Sequence, residues 1–272
     1  MSRPIINLNQ WLETPAGQYL LAWEQAQIDA AVADIFGYHA LQLGLAPLNG
    51  LHGNRMPHQW LALDRQELDR LAQLKQQARP VALLCDYAAL PFASSSLDLL
   101  VLPHTLEFSP DPHATLREVE RVLVPEGRVV ICGLNPLSLW GLRQGRARLY
   151  RSLGLGKLFL PDSGQFIGAW RLRDWLRLLS LEVEQDVFGC YRPALQSNKW
   201  LQRCAWMDHA GSRWWPIFGA AYCMVAVKRV RGMRLLEPVW KAKPARAVKP
   251  VSVAGKQGKF TQGEFSQLEK QE

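Results

Sequence analysis

Between residues 39 and 132, short apolar runs alternate with helical patterns, and few folds accommodate that alternation. The runs cover residues 39–43, 59–63 (QWLAL), 81–85 (VALLC), 97–102 and 128–132 (RVVIC). Each is continuously apolar rather than alternating with polar residues, which marks strands covered on both faces, as in a parallel sheet. The intervening segments carry helical spacing. Residues 66–77 place Leu68, Leu71, Ala72 and Leu74 on one stripe. Asp111 followed by Pro112 starts a helix, a capping acid before proline at the first helical position. Leu116, Val119 and Leu123 form its face, and Pro125-Glu126-Gly127 ends it. Upstream, residues 11–35 predict a helix through Leu20, Leu21, Ile28, Ala31, Val32 and Ile35, with a gap at Glu24 and Gln25. The expected class is α/β, with helices on both faces of a mostly parallel sheet.

After residue 132 the rhythm changes. Residues 134–168 read as long and irregular, 170–179 as an amphipathic helix, and 181–188 and 220–230 as strands. The segment between these strands holds Trp200, Trp206, Trp214 and Trp215, read as core or as cover over a pocket. No internal repeat is visible.

Composition excludes several classes. The 272 residues are 48% hydrophobic and 21% charged, an ordinary globular balance. The start, MSRPIINLNQWLE, lacks a basic region followed by an apolar core, so no signal peptide is expected. The longest uncharged apolar-rich run, residues 214–227, is too short to span a bilayer. Cys85, Cys132, Cys190, Cys204 and Cys223 are scattered, with no CxxC pair, and the six histidines show no ligand spacing. These features predict reduced, mostly buried thiols in a cytoplasmic protein without a metal site. The net charge of +8 is uneven: residues 228–259 hold ten Lys/Arg and one acid, Glu237. We expect a folded body over 1–232 and a basic, disordered tail over 233–272. The tail reads either as a solubiliser or, through 228–259, as a contact for nucleic acid or anionic lipid.

In a parallel sheet the chemistry lies at the carboxyl ends of the strands, near the switch point. Gly44 follows the first strand, Asp64 ends the second and Asp86 ends the third. An acid ending the second strand can accept hydrogen bonds from a ribose diol, and one ending the third can take an amine or an amide. Each also has a plainer reading, as a cap for the helix or turn that follows.

The order of pieces in residues 85–133, CDYAALPFASSSLDLLVLPHTLEFSPDPHATLREVERVLVPEGRVVICG, resembles the downstream half of a class I S-adenosylmethionine-dependent methyltransferase. It is most similar to the type 11 methyltransferase domain, also seen in quinone-biosynthesis C-methyltransferases. With the upstream strands the resemblance covers residues 41–133. The flanking WLETPAGQYLLAWEQ and NPLSLWGLR look like an uncharacterised bacterial subgroup. The resemblance implies a Rossmann-like fold of seven strands, the last antiparallel and inserted beside the fifth. It implies S-adenosylmethionine as cofactor, S-adenosylhomocysteine as product, and an unidentified methyl acceptor, small molecule or macromolecule. It places ribose on Asp64, adenine near Asp86 and Tyr87, and the methionine end at Gly44 and Leu45, with Leu102 as floor. His104, at the end of the fourth strand, is a candidate base; the alternative is a structural histidine bonded to Glu107.

The sequence departs from the family in LQLGLAPLNG, residues 41–50. Where the family has an acid and then Gly-x-Gly-x-Gly, this chain has Gln42, Gly44, Ala46 and Leu48. Gln42 keeps hydrogen-bonding capacity without charge, and Ala46 is expected to add a methyl at the closest approach to the cofactor. Because the cofactor carries no phosphate, the turn need not supply a dense cradle of N–H groups. Asn135-Pro136 follows the fifth strand rather than the fourth, so the Asn-Pro role of amino-group methyltransferases is not carried over. Two other readings stay open: a non-catalytic binding protein on the same fold, and a nicotinamide-dependent enzyme, which the missing GxGxxG disfavours.

Overall fold

A computed structural model gives the fold and describes residues 8–74, 80–152, 159–160, 164–195 and 197–229. The elements run α1 (Leu8–Leu12), α2 (Pro15–Val32), β1 (His39–Leu43), β2 (His58–Leu63), α3 (Arg65–Leu74), β3 (Leu83–Leu84), β4 (Leu97–Pro103), α4 (Thr105–Phe108) and α5 (Pro112–Val122). They continue with β5 (Leu123–Leu134), α6 (Leu139–Ser152), α7 (Ala169–Leu178), β6 (Leu181–Gly189), α8 (Asn198–Arg203), α9 (Trp206–Trp214), a 3-10 turn (Pro216–Phe218) and β7 (Ala221–Lys228).

The seven strands form one sheet in the order β3-β2-β1-β4-β5-β7-β6. β1 pairs in parallel with both β2 and β4, so the chain winds outward in opposite directions from the β1/β4 seam. β7 runs antiparallel between β5 and β6, with Ile131 opposite Met224 and Val187 opposite Cys223. This is the seven-stranded α/β arrangement that the alternation and the late strand pair predict.

Period two along the buried strands divides the core. Leu99 and Val101 of β4 join a cluster with Trp11, Leu20, Ile28 and Val32 from α1 and α2. Leu100 and Leu102 join the opposite cluster with Leu116 and Val119 of α5 and Leu172 and Leu176 of α7. Both faces are therefore covered, which is why these strands read as continuous apolar runs.

The structure departs from the sequence expectations at several elements. The helix expected over 11–35 is two helices. Thr14 Oγ1 accepts from Gly17 N at 3.2 Å, and Pro15 opens the new helix. A Cβ on Gly17 would stand 2.4 Å from Leu12 Cα, so only glycine permits the close turn. Strand three shrinks to Leu83–Leu84. Leu123 starts β5 rather than completing the α5 face. The expected irregular stretch after residue 134 holds α6. Its start is fixed by Ser138 Oγ, which accepts from Gly141 N at 3.1 Å. Its body is held by Gln144, whose amide bonds the backbone of Phe159 and Leu160, and by Trp140 set edge-on to Trp11 and Phe159. The tryptophans expected as core or pocket cover are exposed, Trp206 by 65% and Trp214 by 75%. All five cysteines are free thiols, with Cys132, Cys190 and Cys223 buried and Cys85 and Cys204 half-buried.

The expected disordered tail over 233–272 lies outside the described residues. Two of the basic residues counted with it belong to the folded body. Lys228 Nζ donates to the carbonyls of Glu120 and Leu123, and Arg229 pairs with Glu126, Glu182 and Glu184.

Candidate functional site

At the carboxyl ends of β1, β2, β3 and β4 lies a cleft of about 990 Å³. Gly44, Asp64, Asp86 and Tyr87 line it, as the strand order requires. Glu67, Cys85, Thr105 and Phe108 line it as well, as do Leu8, Asn9 and Gly164. The sequence alone did not single out these further residues.

Gly44 sits at φ +80, a conformation that favours glycine. A Cβ there would point at Glu67 Oε2 (3.3 Å), Thr105 Oγ1 (3.4 Å) and the Tyr87 hydroxyl (3.4 Å), so the glycine keeps a cradle open among three polar groups. Leu45 follows at φ +46, an uncommon value for a branched side chain. Its N–H donates to Glu67 Oε1 at 2.7 Å. Asp64 and Glu67 have the spacing of a capping box, in which the glutamate would reach back to the Asp64 N–H. Here Tyr87 takes that role. Its hydroxyl accepts from Asp64 N at 2.9 Å and donates to Glu67 Oε2 at 3.1 Å, which leaves Glu67 to secure the turn after β1.

Asp64 and Asp86 each cap locally, as the plainer reading expected. Asp64 Oδ1 accepts from Gln66 N at 3.4 Å, and Asp86 Oδ1 accepts from Ala88 N at 2.9 Å. The second oxygen of each has no partner among the described residues, so capping and ligand binding are compatible. Four acids and one arginine line this end of the cleft: Asp64, Glu67, Asp69, Asp86 and Arg65. Burial, then the charges of Asp86 and Asp64, push the Cys85 thiol up to about 11, so it stays protonated near neutral pH. Burial, with Glu67 next, raises the Tyr87 phenol.

Three expected site residues are placed otherwise. Gln42 is fully buried and does not line the cleft. Its Nε2 donates to the carbonyls of Gly44 (3.0 Å), Leu45 (3.2 Å) and Leu48 (2.9 Å), and its Oε1 accepts from Gly50 N (3.0 Å). It braces the turn from inside. Leu102 lies beneath, in the core rather than in the cleft wall. Ala46, expected to crowd the cofactor, turns its methyl into a core cluster with Leu61 and Leu63. Leu48 is likewise core. The turn is thus shaped by core side chains where the family pattern has glycines.

His104 borders the cleft at the end of β4, but both of its ring nitrogens are engaged with carboxylates. Its side chain is buried, with Nδ1 2.8 Å from Glu107 Oε2 and Nε2 2.8 Å from Glu24 Oε1. Burial alone favours the neutral ring, but Glu24 and Glu107 outweigh it and push His104 up to about 10. The ring is an imidazolium at neutral pH and has no lone pair to take a proton. Glu107 also accepts from Leu134 N at 2.6 Å, tying β4 to β5. Burial pushes the Glu107 carboxyl up, with His104 pulling against it. Among the described residues, Glu24 has no partner besides His104. Asn135 is a clamp: its Nδ2 donates to the carbonyls of Ile217 and Gly219.

A doubly wound sheet with β7 inserted antiparallel, and a cleft at its switch point edged by strand-ending acids, defines the class I methyltransferase fold. Residues 47–131 match the family model described as a methyltransferase domain, beginning within the altered turn. In fold and in this stretch of sequence the chain is similar to the class I S-adenosylmethionine-dependent methyltransferases. The fold is similar to a chain of the complex between the Haloferax volcanii Trm112 methyltransferase activator and a methyltransferase. That likeness has 16% identity, covers 83% of this chain and 97% of that chain, and has a TM-score of 0.54. It is also similar to a SAM-dependent methyltransferase of Thermotoga maritima, at 15% identity over 78% of this chain and 92% of that chain, TM-score 0.50. The uncharacterised Escherichia coli (strain K12) protein YafS is 31% identical over 174 residues, 64% of this chain. The matched stretch spans 65% of that protein's length.

The donor set suits the cofactor this family implies. S-adenosylmethionine carries a sulfonium, an ammonium and a ribose diol, and the cleft offers carboxylates beside an open glycine position.

Proposed function

We propose that the protein binds S-adenosylmethionine in the cleft at the carboxyl ends of β1–β4 and transfers its methyl group to an acceptor. The observation that carries the reading is the acid-lined cleft at the switch point. Gly44 holds open a cradle among Glu67, Thr105 and Tyr87, with Asp64 and Asp86 each keeping a carboxylate oxygen without a partner among the described residues. When bound, the cofactor supplies a methyl group on positively charged sulfur. Asp64 would hold the ribose hydroxyls and Asp86 the adenine end. The Gly44–Leu45 backbone would lie against the methionine end, with Glu67 adding negative charge there. The chain's contribution to the reaction is to position the two reactants and exclude water. Leu8, Asn9, Phe108 and Gly164 bound the side of the cleft left for the acceptor. No proton transfer is assigned to His104, whose two nitrogens face Glu24 and Glu107.

Equilibrium dialysis with methyl-labelled S-adenosylmethionine tests the reading. The expected result is saturable retention of label, displaced by S-adenosylhomocysteine. No retention at millimolar ligand would overturn it.

A further inference from the structure

Among the large apolar side chains that the folded body exposes, those of two stretches meet at one end of the sheet. The first, at the start of α6, includes Leu137, Leu139 and Leu142, each at least half exposed. The second runs through α8, α9 and the 3-10 turn and includes Trp206, Trp214 and Phe218. Asn135 joins the two by donating to the carbonyls of Ile217 (2.7 Å) and Gly219 (3.0 Å). Tyr191 fixes the turn beneath them, its hydroxyl donating to the Pro216 carbonyl at 2.7 Å. Strand register places this region. β6 ends at Gly189 and β7 begins at Ala221, opposite each other and beside the end of β5, so residues 190–220 lie at the carboxyl end of the parallel strands. The candidate cleft opens at that same end.

The charge on this face has one sign. Lys199, Arg203 and Arg213 are exposed along α8 and α9. Lys199 and Arg213 have no ion-pair partner among the described residues, and Arg203 lies over the Trp200 ring. The single acid of the stretch, Asp208, is engaged with Tyr19, Arg192 and the Tyr191 N–H. No acid occurs in residues 135–147. Exposed tryptophans beside unpaired cations, with leucines and phenylalanine projecting among them, are the composition of a surface that sits in the headgroup zone of a bilayer.

We propose that this face docks the protein on an anionic lipid surface, with Trp206, Trp214 and Phe218 entering the boundary between headgroups and acyl chains. Two other occupants fit less well. Single-stranded nucleic acid would use the aromatic rings and the cations, but it gives the aliphatic Leu137, Leu139 and Leu142 nothing to stack on. A second copy meeting this face symmetrically would bring the same cations into opposition. The inference rests on the surface and not on the cofactor reading.

The test uses the full chain, tail included, with vesicles of phosphatidylcholine alone or mixed with phosphatidylglycerol, and with acyl chains brominated to quench tryptophan on contact. The expected result is co-sedimentation with the anionic vesicles and quenching by the brominated chains. Combined Trp206→Ser, Trp214→Ser and Phe218→Ser should lose the quenching and lower partitioning about tenfold or more. Lys199→Glu with Arg213→Glu should weaken binding while removing most of its dependence on anionic lipid. Circular dichroism of both variants should match the parent, since all five positions are exposed. Absence of vesicle binding would overturn the proposal. So would parental quenching in the apolar variant, which would assign the contact to the basic tail. Dimerisation of the parent that the apolar variant abolishes, or RNA binding lost in that variant without any vesicle binding, would overturn it in favour of those partners.

Discussion

At the scale of single residues, Glu67 accepts from the Leu45 N–H and from the Tyr87 hydroxyl. Replacing it with glutamine keeps an acceptor for Leu45 but removes a negative charge beside the place where a cationic cofactor would lie. Glu67→Gln should leave the fold intact and weaken S-adenosylmethionine binding roughly 5- to 10-fold, read by calorimetry. Parental affinity in this variant would show that the charge is not used. Ala46 gives a contrasting case. A methyl at the ligand would make Ala46→Gly neutral or favourable for binding, but the methyl is buried against Leu61 and Leu63. The substitution should cost about 1–2 kcal/mol in denaturant unfolding, from lost burial and added chain freedom, with cofactor affinity unchanged. His104 supplies a pH signature. Its pKa is raised from about 6.5 in the unfolded chain to about 10 in the fold. The stability it contributes is therefore complete below about 6.5 and lost as pH rises through about 10. Relative to His104→Gln, the parent should lose stability over that interval, and an imidazole signal titrating near 7 would contradict the assignment. Asp64 and Asp86 were legible in the sequence because an acid ending a strand is a local pattern. Glu67 was not, because its spacing from Asp64 looks like a capping box, and only the fold shows Tyr87 displacing it. Glu24 left a trace, as the gap in an otherwise apolar helix face. Its partner His104 is eighty residues away, a pairing no periodicity reports.

At the scale of elements, the strands were legible and several of the helices were not. Buried strands are written as unbroken apolar runs, whereas α6 is anchored by tertiary contacts, the Gln144 amide and the Trp140 packing, around the two glycines Gly141 and Gly145. The break between α1 and α2 was written in the sequence as Thr14-Pro15, a cap and a first-turn proline lying within a pattern otherwise periodic enough to read through. Thr14→Ala removes the acceptor for Gly17 N and should lower stability by about 0.5–2 kcal/mol, measured by thermal or denaturant unfolding. No change would mean that proline and packing alone set the break. The tryptophans of α8 and α9 were misplaced because aromatic residues usually mark a core. Nothing local distinguishes a buried tryptophan from one on a face left open.

At the scale of the whole molecule, the topology brings the altered loop to the candidate site. β1 lies between β2 and β4, so the turn after β1 and the acids ending β2 and β3 converge whatever occupies positions 46 and 48. Gln42 holds that turn from within, bonding the carbonyls of Gly44, Leu45 and Leu48 and the Gly50 N–H, where the family pattern has an acid. Calorimetry of the parent and of Asp64→Ala with S-adenosylmethionine tests this most directly. A hydrogen bond to a charged group is worth about 1.5–3 kcal/mol, so the variant should bind roughly 10- to 150-fold more weakly than the parent. Absence of heat from the parent at millimolar ligand, or equal affinity of parent and variant, would contradict the account.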